Sequence, residues 1–319
     1  MNSTQQWQNV TWFEVDEHQA GQRIDNFLFT RLKGVPKSRI YRLIREGQVR
    51  INKKRVKAET KLSIGDQIRV APIRFEQKEE AAPVSDKVAQ SLLSRVVYED
   101  EGLMVVNKPS GIAVHGGSGV AYGLIEGLRA ATGKKYLELI HRIDRDTSGL
   151  VMISKKRSVL KSLQDMLREH QIKKTYAAVV KGKVALDQQL IDQPLHRYEL
   201  PNGERRVRVS KEGKESKTQW NVQERFMHAT LVYASPLSGR THQIRVHGLS
   251  IGHPLVGDEK YGHETEYKGP KPRRLCLHAM RLEIPGYAVI EAPLPEDMQS
   301  IVAQLRAQKA DKPATPAED

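Results

Sequence analysis

The chain has 319 residues, of which 39% are hydrophobic and 28% are charged, a balance that is typical of a folded protein and excludes wholesale disorder. Its one cysteine, Cys276, excludes a disulfide framework and a thiolate-rich metal site, and no run of 18 apolar residues is present to span a membrane. The N-terminus lacks the basic patch and apolar stretch of a secretory signal, so we expect a soluble, cytoplasmic protein.

The net charge of +14 is concentrated near the N-terminus. Residues 18–74 hold 15 lysines and arginines against four acidic residues, a net charge of +11, which leaves +3 for the rest of the chain. A confined basic patch indicates a polyanionic partner, and nucleic acid is favoured over an anionic membrane because no broad aromatic face lies opposite the charges. A solvated basic face without a ligand is the alternative interpretation.

Two helices followed by short strands are predicted in this basic segment. Apolar residues recur at helical spacing from Ile24 to Leu32, and Ser38 is a suitable N-cap for a second helix that Gly47 ends. Strands are expected around residues 49–51 and 62–70, with turns at residues 52–54 and at 65–66.

Three stretches of this segment, GQRIDNFL, KSRIYRLIREGQVRIN and LSIGDQIRV, resemble the small RNA-binding domain of the ribosomal-protein-S-four type. In that family the second helix and the strand after it face RNA. The resemblance therefore implies RNA contacts from the basic side chains of this region, which are Lys37, Arg39, Arg42, Arg45, Arg50, Lys53 and Lys54.

Changes in composition divide the chain into five predicted parts. A polar, alanine-rich stretch separates the basic domain from a larger domain, and the last residues are typical of a disordered tail. The predicted parts are an N-terminal extension at 1–17, the basic α/β domain at 18–76, a linker at 77–94, the larger domain at 95–308 and the tail at 309–319.

The larger domain is predicted to contain more strands than helices. Apolar runs at 103–106, 150–153, 177–180, 231–233 and 275–284 indicate strands, and residues 160–167 fit one helix face. No regular helical crossover separates the strands. The pattern favours an α+β fold with a mixed, mainly antiparallel sheet.

The stretch HRIDRDTSGLVMISK at 141–155 concentrates reactive residue types in a predicted loop between apolar runs. Asp144 and Asp146 lie among arginines there. A carboxylate beside arginines stays ionised and keeps its position, which suits a nucleophile or a general base. A loop tied together by ion pairs is the alternative.

Motifs of other enzyme classes are missing or incomplete. The nearest approach to a phosphate-binding loop, GLRAATGKK at 127–135, has one residue too many and lacks the hydroxyl, and no G-x-G-x-x-G opens a helix. Paired-aspartate phosphotransferases need the first aspartate directly after a buried strand, whereas His141 and Arg142 precede Asp144. His242 and His247 are five residues apart, not the four that place two ligands on one helix face, so no metal site is predicted.

A second dense stretch, SGRTHQIRVHGLSIGHPLVGDEKYG at 238–262, contains a candidate helix that begins near Thr241. Arg240, His242 and Arg245 are crowded together, which is unfavourable in a core unless they meet a ligand or a charge partner. We expect an arginine of this helix to pair with Asp144, and an ordinary surface helix is the alternative.

Four stretches occur together in the order and spacing of the RNA pseudouridine synthases of the RluA class, which the chain therefore resembles. They are NKPSGIAVHGG, HRIDRDTSGLVMISK, KTYAAVVKG and GRTHQIRVH with GHPLVGDEKYG, and RLCLHAMRLEI follows. The resemblance covers roughly residues 20–305, and Ile143 replaces the commoner leucine.

The resemblance implies site-specific isomerisation of uridine to pseudouridine at several positions of large-subunit (23S) ribosomal RNA, with the target base flipped out of its stack. Asp144 would be the essential carboxylate, and Arg245 would hold it by a salt bridge. Tyr176 would stack on the flipped base and assist removal of the C5 proton, while Arg142 would fill the space that the uridine leaves. Whether Asp144 attacks the ribose or the base, or removes a ribose proton, stays open.

The resemblance also implies further RNA contacts from Arg240 and His242. It implies no cofactor, metal, membrane or obligate protein partner, so we expect a monomer that acts on large-subunit ribosomal RNA or a pre-ribosomal particle. The competing hypothesis is a non-catalytic RNA-binding or ribosome-assembly protein that kept the fold. Only the enzyme requires Asp144, Tyr176 and Arg245 together.

Overall fold

The computed structural model divides the chain into two compact units, residues 1–81 and 82–319, which are referred to as unit 1 and unit 2. The boundary falls inside the predicted linker of 77–94. The structure describes residues 7, 9–17, 19–32, 35–73, 84–116, 122–134, 136–262 and 265–310. The predicted tail beyond residue 310 and the linker residues 77–83 lie outside these ranges.

Unit 1 is a small α/β unit in which an antiparallel sheet packs against two helices. Its elements are β1 (Thr11–Glu14), α1 (Ile24–Arg31), α2 (Lys37–Arg45), β2 (Val49–Ile51), β3 (Lys54–Arg55) and β4 (Gln67–Val70). The strand order is β1-β4-β2-β3, and every pairing is antiparallel. The core between the sheet and the helices includes Ile24 and Phe27 from α1, Leu43 from α2, and Val49 and Ile68 from the strands.

The helices and the hairpin of unit 1 confirm the sequence prediction. Two residues, Asn52 and Lys53, connect β2 to β3 with φ angles of 48° and 67°. Positive φ at both central residues is the geometry of the hairpin turn that matches the twist of the flanking strands. The turn thus projects Lys53 away from the sheet's end.

Three details of unit 1 correct the prediction. Pro36, not Ser38, is the N-cap of α2. Residues 62–64 form no strand, because Leu62 is buried in irregular chain and Ile64 is 69% exposed. The predicted N-terminal extension contributes β1, whose Phe13 packs edge-on against Phe27 at 5.6 Å between ring centroids.

Unit 2 is built on a large mixed sheet. Its helices are α3 (Asp86–Leu93), α4 (Leu124–Thr132), α5 (Arg157–Arg168), α6 (Gln243–Ser250) and α7 (Glu296–Ala310). Its strands are β5 (Val96–Glu99), β6 (Leu103–Lys108), β7 (Glu138–Leu139), β8 (Ser148–Ser154), β9 (Lys173–Lys181), β10 (Gln188–Asp192), β11 (Leu195–Glu199), β12 (Arg205–Val209), β13 (Lys217–Arg225), β14 (Ala229–Pro236), β15 (Leu277–Glu283) and β16 (Ile290–Glu291).

The main sheet has the order β10-β13-β14-β9-β15-β8-β6-β5, with β16 beside β15 and β7 beside β8. Only the pairing of β8 with β15 is parallel among the described strands. The predicted α+β fold with a mixed, mainly antiparallel sheet is therefore confirmed. This order sets β8 and β9 on either side of β15, so the loop before β8 and the start of β9 lie close together.

Helices cover both faces of the central strands. Met104 and Val151 pack in a cluster with residues of α3 and α4, while Val105 and Met152 pack in a cluster with Leu163 of α5. Strands buried on both faces read as continuous apolar runs, which is why β6 and β8 were recognisable in the sequence.

Residues 86–94 of the predicted linker are part of unit 2. Residues 86–93 form α3, in which Ala89 and Leu92 are buried. A Cβ on Gly127 of α4 would overlap the Leu92 side chain, so the two helices pack closely through this glycine. The stretch therefore belongs to the core of unit 2.

Candidate active site

A cleft of about 780 Å³ opens in unit 2 where the loop before β8, the start of β9 and the chain between β14 and α6 meet. Asp144, Tyr176 and Arg245, the three predicted catalytic residues, all line it, as do Arg142, Arg240 and His242. Basic side chains outnumber acidic ones in the lining. The acidic residues are Asp144 and Glu283, and the lysines and arginines are Arg142, Arg168, Lys173, Lys174, Arg240 and Arg245. Such a cleft attracts an anionic ligand.

Asp144 lies in the loop that leads into β8, with its side chain 22% exposed. The Thr147 N–H donates to the Asp144 carbonyl at 3.2 Å and closes a turn. Gly149 follows in β8 with a φ of 112°, and a Cβ there would overlap the backbone of Ala279 in β15. Glycine at this position thus allows β8 and β15 to approach, which fixes the start of the strand that carries the loop.

Lys108 holds the Asp144 loop through buried hydrogen bonds. Its side chain is fully buried, and Nζ donates to the carbonyls of Pro109 at 2.8 Å, Ile112 at 2.7 Å and Arg145 at 3.0 Å. Three carbonyl acceptors match the three donors of an ammonium group. Burial lowers the pKa of Lys108, to about 7, while the charges of Asp146 and Asp144 act in the opposite direction.

Arg245 projects from α6 and contacts two carboxylates. It donates from Nε and Nη2 to Asp258 at 2.7 Å each, and its Nη1 lies 3.9 Å from Asp144 Oδ2. Arg245 is only 2% exposed, and its bonds to Asp258 raise its pKa although burial opposes this. The expected pairing of Arg245 with Asp144 is found at ion-pair distance, but the hydrogen-bonded partner is Asp258.

Asp258 is held by more than Arg245. Its Oδ1 also accepts from the backbone N–H groups of Lys260 and Tyr261, each at 3.0 Å. These bonds saturate the buried carboxylate and fix its orientation. Asp258 was not singled out from the sequence, although it lies in the GDEKYG stretch that carried part of the family resemblance.

His242 is the second side chain that faces Asp144, with Nε2 4.0 Å from Asp144 Oδ2. It caps the start of α6 with a φ of 53°, so the helix begins at Gln243 and not near Thr241 as expected. Its Nδ1 lies 2.7 Å from Tyr261 Oη, which already accepts from the Val207 N–H at 3.0 Å. Because this hydroxyl needs an acceptor for its own proton, we infer that it donates to Nδ1, which assigns the proton of a neutral imidazole to Nε2, toward Asp144. Burial lowers the pKa of His242 and favours this neutral form.

Tyr176 lies on β9 between two apolar clusters of unit 2. Burial raises its pKa, and the charge of Asp144 raises it further, so its hydroxyl is protonated at neutral pH. A phenol in this setting has an apolar ring face for stacking and a hydroxyl near a carboxylate.

Among the cleft residues that were not predicted, His141 and Lys174 are distinguished by their buried titratable groups. His141 accepts the Met152 N–H at Nε2 over 3.1 Å, and burial lowers its pKa to about 3. Lys174 lies two residues before Tyr176 on β9, and burial lowers its pKa. No hydrogen bond or ion pair joins the Lys174 ammonium to any residue that the structure describes. The alternation of β9, which puts residues 174 and 176 on one face, was the available signal.

The arginine next to Asp144 in sequence has a different partner. Arg145 pairs with Asp146 at 3.2 Å, with 62% of its side chain exposed. The interpretation of Asp144 as a carboxylate held by neighbouring arginines is therefore corrected, since the guanidinium beside it is that of Arg245. Arg240 donates from Nε to the Glu215 carbonyl at 3.2 Å at the edge of the cleft.

The remaining predicted RNA contacts lie in unit 1. Lys37, Arg42, Arg45, Arg50, Lys53 and Lys54 are exposed, and Arg39 is partly exposed. Arg42 pairs with Glu46 at 2.6 Å, and the Lys37 ammonium lies 5.1 Å from the centre of the Phe29 ring. The α2 side chains thus form a basic surface that solvent can reach.

Two searches of the described residues found nothing. No group of three or more histidine, cysteine or acidic side chains is arranged to hold a metal ion there. No helix in the same residues has the length and hydropathy needed to cross a bilayer.

Two family models match the chain. Residues 102–250 match the model described as RNA pseudouridylate synthase, and residues 22–68 match that of the S4 domain. The first match includes the loop of Asp144, Tyr176 on β9 and Arg245 on α6. The second covers both helices of unit 1.

Close relatives cover almost the whole chain. The ribosomal large subunit pseudouridine synthase C of Pasteurella multocida is 48% identical over 314 residues, which are 95% of this chain and 96% of the relative. The protein of the same name from Escherichia coli K12 is 50% identical over 305 residues, 92% of this chain and 95% of the relative. The structure of human RNA pseudouridylate synthase domain containing 4 shares the fold, with a TM-score of 0.58 at 24% identity over 69% of this chain and 96% of that one.

Proposed function

The chain belongs to the RNA pseudouridylate synthase family, and we propose that it isomerises specific uridines to pseudouridine in the RNA of the large ribosomal subunit. The observation that carries the proposal is the meeting of Asp144, Tyr176 and Arg245 in one basic cleft, from three separate parts of the sequence. The names of the two close relatives indicate the substrate class.

The reaction moves the uracil ring without changing its composition. The bond between N1 and C1′ of the ribose breaks, a bond between C5 and C1′ forms, C5 loses a proton and N1 gains one. Nothing is oxidised or reduced, and no group is transferred to another molecule. The protein must therefore supply positioning, charge stabilisation and proton transfer.

We assign Asp144 as the essential carboxylate of this reaction. Its position next to the Arg245 guanidinium and the His242 Nε2 places positive charge and a donor on one side of it, and leaves 22% of its side chain open to the cleft. A carboxylate with this exposure can contact a ribose or a base. Attack on the ribose, attack on the base and removal of a ribose proton all remain compatible with this geometry.

Tyr176 is proposed to stack on the flipped uracil and to assist removal of the C5 proton. Its ring lies among apolar residues and its hydroxyl stays protonated, so the phenol is suited to stack on the base and to offer a hydrogen-bond donor, not to act as a permanently ionised base. Arg142, at the rim, is proposed to fill the gap that the flipped nucleotide leaves in the RNA.

The whole proposed site comes from one chain and one unit, which supports action as a monomer without an obligate protein partner. A ribosomal RNA substrate supports an activity in the cytoplasm. The competing hypothesis, a non-catalytic RNA-binding or assembly protein, requires the basic surface of unit 1 but not the arrangement around Asp144.

The test is to incubate the purified protein with an unmodified transcript of large-subunit ribosomal RNA and to map pseudouridine by chemical labelling. The proposal expects modification at a small number of uridines. The Asp144→Asn variant should bind the transcript with nearly the same affinity and form no pseudouridine. Turnover by this variant above a few per cent of the wild-type rate would show that Asp144 is not the essential group, and no modification by either protein would favour the binding protein.

A further inference from the structure

One face of the sheet in unit 1 carries a row of side chains that the helices leave uncovered. Trp12 on β1 lies opposite Arg69 on β4, and Arg69 lies opposite Arg50 on β2. Arg50 in turn lies opposite Arg55 on β3. Residues directly opposite each other in an antiparallel ladder point to the same side of the sheet. We call these four residues the Trp12 row.

The adjacent positions establish which side this is. Phe13 and Ile51 both lie opposite Ile68, and all three pack in the core against the helices. Because side chains alternate along a strand, the Trp12 row points to the side away from α1 and α2. Four strands at the usual spacing give the row a length of about 14 Å.

The arginines of the row have no acidic partner in the part of the chain that the structure describes. Arg50 Nε donates to the Gly47 carbonyl at 3.3 Å and Arg55 Nη2 donates to the Glu46 carbonyl at 3.1 Å, while the Arg69 guanidinium makes no hydrogen bond or ion pair with any described residue. Like charges directly opposite each other destabilise a sheet. A bound anion would offset this repulsion.

Trp12 gives the row a flat apolar end. Its side chain is 53% exposed, whereas Trp7 and Trp220 are 8% and 1% exposed. Among the described residues, no lysine or arginine lies over the Trp12 ring, so its face is open to a planar ligand. A half-exposed tryptophan at the end of three arginines provides an aromatic surface for stacking next to cations for phosphates.

Neither family model covers both ends of the row. The S4-domain match runs from residue 22 to residue 68, so Trp12 and Arg69 both lie outside it. The row is assembled by β1, which the chain adds beside β4.

We propose that the Trp12 row binds a single-stranded segment of RNA, with one base stacked on Trp12 and the backbone phosphates on the three arginines. The proposal rests on the proposed function only for the identity of the nucleic acid as RNA. An aromatic platform with cations along the strand is the usual construction of a sequence-tolerant single-strand site. Duplex RNA hides the faces of its bases and would leave Trp12 without a partner.

The other polyanions fit less well. An anionic membrane needs a broad apolar face beside the cations, and Trp12 is the one apolar side chain of the row. An acidic protein segment would satisfy the arginines but would not need an open indole face in line with them. The row lies on the face of the sheet opposite the core that packs against α1 and α2, and Arg50 and Arg55 reach the Gly47 and Glu46 carbonyls just beyond the end of α2.

The experiment follows the fluorescence of Trp12 in the full-length protein. Trp12 is the exposed tryptophan of the three, so quenching by acrylamide reports on it. The probes are a 12-nucleotide oligoadenylate, the duplex of that strand with oligouridylate, heparin, and vesicles of phosphatidylserine and phosphatidylcholine. Oligoadenylate should protect Trp12 from acrylamide, and the other three probes should protect it much less.

Two sets of variants test the row through binding of labelled oligoadenylate. Trp12→Leu should weaken binding by about tenfold or more, because stacking on an aromatic contributes roughly 1 to 3 kcal/mol per base, and Trp12→Phe should restore most of it. Arg50→Gln with Arg69→Gln should reduce the salt slope of binding by about 1.4, at about 0.7 for each phosphate contact. The matched control for Trp12→Leu is Ile64→Ala, which alters another exposed apolar residue of unit 1. The control for the arginine pair is Lys183→Gln with Lys271→Gln, which removes two exposed charges from unit 2. Neither control should change the affinity or the salt slope.

Equal protection by heparin would replace the proposal with a general polyanion surface, and protection by vesicles alone would assign the row to a membrane. Unchanged affinity and salt slope in the row variants would also overturn it. If circular dichroism shows that Trp12→Leu does not fold, the salt slope of the Arg50→Gln with Arg69→Gln variant tests the proposal alone. Oligoadenylate contains no uridine, so this outcome is independent of pseudouridine formation: loss of catalysis in Asp144→Asn should leave the protection of Trp12 unchanged.

Discussion

Asp258 accepts two hydrogen bonds of 2.7 Å from Arg245, and the same guanidinium presents its Nη1 to Asp144 at 3.9 Å. Asp258 therefore supplies the counter-charge that a buried arginine requires. Asp144 keeps the benefit of the positive charge without being clamped by a direct hydrogen bond to it. An essential carboxylate in this position is oriented by charge and remains able to contact a substrate.

Asp258→Asn should impair both stability and turnover. Breaking a buried ion pair on one side costs about 3 to 5 kcal/mol of unfolding free energy, because it leaves the other charge uncompensated. Arg245 would then depend on Asp144 for its counter-charge, and displacement of a reacting group by about 1 Å can lower a rate roughly 100-fold. Urea unfolding and single-turnover assays at a temperature where the variant is folded measure the two effects. Asp187→Asn, whose side chain is 83% exposed where it pairs with Arg225, is the matched control and should change neither quantity. Wild-type turnover in Asp258→Asn would show that Asp258 does not support the reaction.

The fold could be predicted where the chain is buried on both sides or carries turn chemistry. β6 and β8 read as apolar runs because both of their faces are covered, and the Asn52-Lys53 hairpin follows from its residue types. β1 was missed, and the residues of α3 were assigned to a linker, because the apolar residues of both elements are few and pack against partners distant in sequence. Leu92 can be assigned to the core only when its packing against Gly127 of α4 is known.

The residues of the site could likewise be predicted only in part from the sequence. Motif order brought Asp144, Tyr176 and Arg245 together, whereas Asp258 and Lys108 act through contacts that no local pattern encodes. Lys108 is bonded to carbonyls up to 37 residues away, and the Arg245–Asp258 pair spans 13 residues. A backbone carbonyl has no residue type, so a sequence cannot identify the acceptors that hold a buried lysine.

His141→Gln should make the protein less sensitive to acid. In the folded state His141 is neutral and accepts the Met152 N–H, with its pKa lowered by burial to about 3, whereas an unfolded histidine titrates near 6.5. The unfolded state binds the extra proton, so this contribution to stability is complete above about pH 6.5 and is lost as the pH falls toward 3. The loss is up to about 1.4 kcal/mol for each pH unit in that window.

Glutamine keeps a carbonyl acceptor but cannot be protonated here, so the variant should lose less unfolding free energy between pH 7.5 and pH 5 than the wild type. Urea unfolding at both pH values measures this difference. His228→Gln serves as the control for a histidine outside the cleft. Equal pH dependence in wild type and His141→Gln would mean that the Met152 bond does not govern acid sensitivity.

Lys174→Met should weaken RNA binding while leaving the protein at least as stable. The Lys174 ammonium is mostly buried in the cleft lining without a partner among the described residues, and burial lowers its pKa. An unpaired buried charge is unfavourable for folding, so its removal should raise the unfolding free energy, by about 1 kcal/mol. RNA that enters the cleft would lose one cation contact. Lys174→Arg should retain affinity, and a Lys174→Met variant that is less stable with unchanged affinity would give this lysine a structural role instead.

The last prediction concerns where the chain can be cut. The polypeptide 84–319 should fold without unit 1, because its core clusters lie within unit 2. The polypeptide 95–319 is only 11 residues shorter but lacks α3, whose Ala89 and Leu92 are buried against the core that α4 helps to form. Loss of a buried leucine alone costs about 2 to 5 kcal/mol of unfolding free energy, so thermal unfolding should distinguish the two polypeptides clearly.

The folded 84–319 should still modify a short RNA that contains a target uridine, since Asp144, Tyr176, Arg245 and Asp258 are all present. It should bind large-subunit RNA more weakly and with a flatter salt dependence, by about 0.7 to 0.9 for each phosphate contact that unit 1 supplies. Equal affinity, an unchanged salt slope and unchanged site choice after the cut at residue 84 would mean that the +11 charge of residues 18–74 serves solubility or another partner rather than RNA.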